Sequence, residues 1–247
     1  MRPIHFSTLK KMALSPAHYR ACEAEPFEAT RAMRLGTIAH HIVLGPSNVK
    51  PLVRWRDGER KGSAWKAFAE ANDGAEIVTD TEWEEAEPMA AAVMANEHAR
   101  RLIEGSRTEV PMSWTSGGIP CATRGMDVVG PRHMADLKFT SCAEPAAFMR
   151  HATKLLYPQQ MGFYQEGCEQ NRIDVSGGIF LIAVESKVPY PVTVLRMTDP
   201  VLAHGRKSIA LWIERLRSCL ESDFWPGYTQ AVLDFELPAW MDDGSDE

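Results

Sequence analysis

Two carboxylates and one amine lie close together in the stretch Arg124-Gly-Met-Asp-Val-Val-Gly-Pro-Arg-His-Met-Ala-Asp-Leu-Lys138. Ile119 to Val129 and His133 to Thr140 read as strands, and Gly130-Pro131 supplies the turn between them. The spacing predicts a β-hairpin over 119–140, with Asp127 on one arm and Asp136 on the other. Residues two apart on a strand share a face, so Asp136 and Lys138 project together, beside Asp127 across the ladder. Charged groups on an apolar-flanked sheet face are costly unless something compensates them, and a divalent cation would do so. Asp127, Asp136 and the backbone carbonyl of Leu137 form a hard oxygen set suited to Mg²⁺ or Mn²⁺. Lys138 would then orient or activate water and stabilise charge on a scissile phosphate. The bland alternative is a surface hairpin with an ordinary Asp–Lys ion pair, because an Asp-x-Lys triplet arises often by chance.

Other elements must hold this hairpin. Ser15-Pro16 opens a short helix, with Ser as N-cap and Pro at the first helical position. Residues 29–44 read as a helix that Gly45-Pro46 ends. Met33, Thr37, His40 and Leu44 share one face of it, so on periodicity alone His40 is a packing residue. Its imidazole is also able to complete a metal site; His41 points about a quarter-turn away. Residues 51–62 read as a polar, basic loop and Trp65 to Ala71 as a short helix. Thr79 or Thr81 caps a longer helix through Ile103, with an interruption expected at Pro88. Val110 to Thr115 is a further strand. Helix follows over 145–171, with a kink or two consecutive helices at Pro158. Gly177 to Glu185 holds the apolar run of a buried strand, and Val192 to Met197 alternates like its partner. Residues 204–221 are helical, with an apolar stripe of Ile209, Trp212, Ile213, Leu216 and Leu220. Glu185 is either a site residue or a solvated strand end. Trp114, Trp212 and Trp225 read as packing residues. The pattern predicts an α/β fold with a central mixed sheet flanked by helices. It also predicts one domain: a helical part over about 1–105, a catalytic sheet core over about 106–236 and an acidic tail over 237–247.

Composition narrows the class. The chain has 247 residues, 45% hydrophobic and 24% charged, which are globular values and exclude a disordered or collagenous chain. The apolar run Ile179 to Val184 is far short of a membrane span. The N-terminus lacks the apolar core of a secretory signal. Five cysteines, an odd count with no CxxC, suit reduced thiols in the cytoplasm and argue against structural zinc or an iron–sulfur cluster. The net charge of −6 is no footprint for broad nucleic-acid coating, yet it leaves room for a local basic groove. Basic residues cluster at Arg54, Arg56, Arg60, Lys61 and Lys66, and at Arg150, His151 and Lys154; a solvated face is the simpler reading of both.

Several separated motifs together resemble the PD-(D/E)xK nuclease superfamily, and within it the exonuclease VIII (RecE-type) nuclease domains of phage and prophage origin. The matching segments are Phe6-Ser-Thr-Leu-Lys, Ser15-Pro-Ala-His-Tyr19, Gly36-Thr-Ile-Ala-His40 with Leu44-Gly-Pro46, Arg124-Gly-Met-Asp127, Asp136-Leu-Lys138 and Tyr157-Pro-Gln-Gln160-Met-Gly-Phe-Tyr164. Val184-Glu185, Cys219-Leu-Glu and Trp225-Pro-Gly-Tyr228 also look familiar. The resemblance implies a restriction-endonuclease-like core and a Mg²⁺-dependent DNA exonuclease acting on linear duplex with free ends. It carries the metal ligands to His40, Asp127 and Asp136, and the catalytic lysine to Lys138. It puts Gln160 and Tyr164 beside the site, against the DNA backbone or orienting Lys138, with Arg124 a further DNA contact. Pro158 inside the Tyr–Gln–Tyr motif departs from a smooth helix and puts Tyr157 in question. A ring-shaped homo-oligomer, a single-strand annealing partner and a role in phage-type recombination are implied in the same way. The competing readings are a PD-(D/E)xK endonuclease or RecB-type nuclease, an inactive DNA-binding module on the same scaffold, and an unrelated α/β protein.

Overall fold

The computed structural model describes residues 2–22, 30–46 and 51–236. The N-terminal segment forms helix α1 (Phe6–Leu9), a 3₁₀ turn (Lys10–Ala13) and α2 (Pro16–Ala21). Ser15 caps α2, its hydroxyl accepting from the His18 N–H at 3.3 Å. Helix α3 (Arg31–Leu44) starts at Thr30, whose side chain accepts from the Met33 N–H, and stops at Gly45, where φ is +85°. Residue 29 and the acidic tail 237–247 lie outside the described residues.

The expected loop over 51–62 contains a strand, β1 (Leu52–Trp55), followed by α4 (Gly62–Ala71) and β2 (Glu76–Thr79). β1 and β2 pair in parallel, with Trp55 and Val78 buried. The basic residues hid the strand in the sequence: Arg54 is neutralised by Asp80, so its charge does not oppose pairing. Helix α5 (Asp80–Ala95) opens on a reciprocal capping box between Thr79 and Glu82. It runs through Pro88 without a break; the break falls at Asn96, which caps α6 (Glu97–Ile103).

The main sheet is mixed. Its strands are β3 (Arg107–Ser116), β4 (Ile119–Val129), β5 (His133–Thr140), β6 (Gly178–Glu185) and β7 (Val192–Arg196), in spatial order β3-β4-β5-β6-β7. β5 and β6 are parallel and the other neighbours antiparallel. Side chains of β6 alternate between two cores. Ile179, Leu181 and Ala183 join a core with Phe148, Phe163 and Ile213; Ile182 and Val184 join one with Ile38, Met89 and Val93. The expected hairpin, partner strand and helical layers are present.

The first core is covered by the N-terminal segment, through Phe6, Leu9, Met12 and Tyr19, and by α7 (Pro145–Lys154), α8 (Tyr157–Gln170) and α9 (Asp199–Ser222). Pro158 separates α7 from α8 by sitting in the first turn of α8, after Leu156 in the left-handed region at φ +63°. Helix α9 buries Leu202, Gly205, Ile209, Ile213, Leu216 and Cys219, so Cys219 takes the place expected of the half-exposed Leu220. A Cβ at Gly205 would lie 2.1 Å from the Pro158 carbonyl oxygen, so only glycine allows α9 this close to the start of α8. That contact fixes the helix carrying Gln160 and Tyr164. No helix among the described residues is long and apolar enough to cross a membrane.

Candidate active site

The β4–β5 ladder pairs Val129 with Met134 and Val128 with Ala135, and its register stops one pair short of Asp127 and Asp136. Beyond that point a side chain replaces the backbone. Asp127 Oδ2 accepts from the Leu137 N–H at 2.7 Å, so the carboxylate satisfies a donor that the ladder leaves over. Asp136 and Lys138 project together, as strand periodicity requires. They form a direct ion pair, with Asp136 buried and the Lys138 side chain 18% exposed. The Lys138 Nζ also lies 4.7 Å from the centroid of the Tyr157 ring.

His40 is not a packing residue. Helix α3 buries Ile38, Ala39 and Leu44, whereas Met33 on the expected stripe is exposed. His40 stands between two acids: Nε2 is 3.2 Å from Asp127 Oδ2 and Nδ1 is 3.3 Å from Glu109 Oε1. His41 packs edge-on against Trp83 instead.

Glu109 has no counterpart in the sequence reading. It is buried in β3 with φ at +51°, a conformation L-residues rarely hold, next to the register shift between Val110 and Met112. Strand alternation alone therefore misplaces it. The available signal was Gly125, since a glycine inside a strand marks a close approach. A Cβ at Gly125 would lie 2.4 Å from Glu109 Oε2.

The electrostatics follow from these contacts. Burial opposes the charge on His40, but Asp127 and Glu109 outweigh it and raise its pKa to about 8. Burial would raise Asp127, yet His40, Lys138 and the Leu137 N–H bring it below the usual carboxylate range. For Asp136 burial wins: against the pull of Lys138, and helped by repulsion from Asp127, its carboxyl rises to about 6. Burial also opposes the charge on Lys138, and Asp136 and Asp127 overcome it, so the amine stays protonated.

One ligand atom from each of His40, Glu109 and Asp127 lies within 4.8 Å of the others. Two carboxylates and an imidazole at that spacing suit a divalent cation, and the strained ionisation of Asp136 beside Asp127 is what such an ion would relieve. The residues present therefore fit a metal centre.

Gln160 and Tyr164 flank the site on α8, the Gln160 Nε2 donating to the Tyr164 hydroxyl at 3.1 Å. Because Pro158 lies in the first turn, the smooth face that the proline had put in question exists. Tyr157, Gln160 and Tyr164 all line one cleft with Arg124 and Lys138. Glu185 is taken up elsewhere, accepting from the Ala143 N–H at 2.8 Å.

The model of a family described as "PDDEXK-like domain of unknown function (DUF3799)" matches residues 5–233. No curated protein matches the chain. Among solved structures, the Eubacterium rectale protein named "Putative exonuclease" superposes with a TM-score of 0.63 at 15% identity, over 96% of this chain and 91% of that one. This likeness identifies the same fold. The alkaline exonuclease LHK-Exo of Laribacter hongkongensis aligns at 16% identity over 74% of this chain and 89% of that one, with a TM-score of 0.31.

Proposed function

The chain belongs to the family of PDDEXK-like domains, and on that premise we propose that it is a Mg²⁺-dependent deoxyribonuclease degrading linear duplex DNA from its ends. The observation that carries the reading is the convergence of Asp127, Asp136 and Lys138 with His40 and Glu109 where the β4–β5 ladder opens. His40, Glu109, Asp127 and Asp136 would hold the cation, with the Leu137 carbonyl a further oxygen ligand and Mn²⁺ a substitute. Such an ion supplies positive charge at a scissile phosphate and makes water nucleophilic at neutral pH.

The remaining steps belong to the chain. Lys138 is held as a cation by Asp136, so its role is to orient water and to stabilise negative charge on the phosphate, not to abstract a proton. The Tyr157 ring packs against its ammonium and limits where it can point. Burial raises the pKa of Tyr164, so its hydroxyl stays protonated and can donate to a DNA phosphate, with Gln160 fixing its direction. The exonucleolytic character rests on the motif resemblance, and the name of the Eubacterium rectale neighbour points the same way.

The test is digestion of end-labelled linear duplex beside a closed circular control. Wild type with Mg²⁺ is expected to degrade the linear DNA alone, to stop with EDTA and to resume when Mg²⁺ is restored. Asp136→Ala and Lys138→Ala are expected to be inactive. Wild-type rates in both variants would defeat the assignment, and cutting of the circle would make the enzyme an endonuclease.

A further inference from the structure

Two clefts meet at the site, and Glu109 and Lys138 line both. The cleft over α3, about 600 Å³, is bordered by Thr37, His40, Phe139 and Ser141, and Lys138 is its one lysine or arginine among the described residues. The cleft on the other side, about 450 Å³, adds Lys10 and Arg124 to Lys138. Its acidic side chain is Glu109, which faces His40 at 3.3 Å. Among the described residues no acid forms an ion pair with Lys10 or Arg124.

These two cations come from distant parts of the sequence and are brought together by backbone. Ile4 bridges to Cys121, its N–H donating to the Pro120 carbonyl at 2.8 Å and its carbonyl accepting from the Ala122 N–H at 2.9 Å. This zips the N-terminal segment onto β4 just before Arg124. Leu9 and Met12 are fully buried and anchor the turn that carries Lys10. Lys10 is itself half-buried, and burial, Lys11 and Lys138 all work against its charge. The charge on Lys10 is therefore held at a cost in the free protein, whereas that of Lys138 is answered by Asp136. A polyanion entering the cleft removes the penalty.

We propose that Lys10 joins Arg124, the DNA contact that the motif resemblance implies, in one seat for DNA backbone phosphates flanking the scissile one, holding the substrate strand on the β4 side of the proposed metal centre. This inference rests on the nuclease reading above.

The test is fluorescence anisotropy of a labelled linear duplex across a salt series, with Ca²⁺ replacing Mg²⁺ to suppress hydrolysis. Lys10→Gln and Arg124→Gln are each expected to weaken binding about tenfold and to reduce the slope of log K against log salt by about one. Lys10→Arg, which keeps the charge, is expected to retain wild-type affinity and slope. The losses should be equal for ends with and without a 5′-phosphate. An unchanged affinity and slope in the double Gln variant, with wild type digesting DNA, would overturn the seat while leaving the nuclease reading intact. A loss confined to phosphorylated ends would also overturn it, by making the ligand a terminal phosphate. A wild type that neither binds nor digests DNA would instead overturn the nuclease reading.

Discussion

The run Arg54, Arg56, Arg60, Lys61 and Lys66 looks more basic in sequence than the pair Lys10 and Arg124, yet the two regions are built for different ends. In the run, Arg54 pairs with Asp80, Arg60 with Glu82 and Lys61 with Glu59, and Arg54 and Arg60 also lie over the rings of Trp83 and Trp65. The Arg54 and Arg60 charges are spent on α5, Lys61 pairs within its own loop, and Arg56 and Lys66, without an acid partner among the described residues, lie exposed and line neither cleft at the site. In the cleft, Lys10 and Arg124 have no acid partner among the described residues and line the same walls as Lys138. What marks the proposed phosphate seat is unpaired cationic charge gathered around one cleft beside the candidate site, and a count of lysines and arginines does not reveal it.

The comparison breaks at its foundation if the metal centre is inert, so the largest expected effect is there. Asp136→Ala is expected to lower the rate of duplex digestion by roughly a thousandfold, because it removes a proposed metal ligand and frees Lys138 together. In the cleft, the combined Lys10→Gln and Arg124→Gln changes are expected to weaken DNA binding about a hundredfold by anisotropy, if the two act independently. Gly125→Ala is expected to displace Glu109, since its Cβ would lie 3.3 Å from the Glu109 Cα as well as against the carboxylate. Calorimetric titration with Mn²⁺ should then show affinity about tenfold weaker.

For His40 the expected effect is on stability. In chelator-treated protein its pKa is raised from 6.5 to about 8, so its contribution is complete below pH 6.5 and is lost as pH rises through 8. Denaturant unfolding should show a fall of about 2 kcal/mol over that window, absent in His40→Gln. The smallest effect is expected from the run: Arg60→Gln should change DNA affinity by less than about twofold, because that guanidinium is already committed to Glu82.

Much of this architecture is legible in the sequence. The hairpin, the Asp136–Lys138 pair and the buried β6 strand follow from alternation and turn chemistry, which act over a few residues. The strand β1 was not legible, because Arg54 reads as solvent-facing until Asp80 is known to meet it. Glu109 was invisible for a related reason: a bulge and a left-handed residue override the alternation that would have pointed it elsewhere. His40 was legible only through the resemblance, since its helical stripe argued for packing. Lys10 could not be joined to Arg124 until Ile4 was seen paired to β4. Regular local patterns were readable, and an irregular strand and contacts between separated segments were not.

The most direct measurement is anomalous diffraction from crystals soaked in manganese. The account predicts a peak bounded by Asp127, Glu109 and His40, with Asp136 in reach, and its loss in Asp127→Asn. A protein that digests DNA while that position stays empty, or that binds the ion elsewhere, would contradict it.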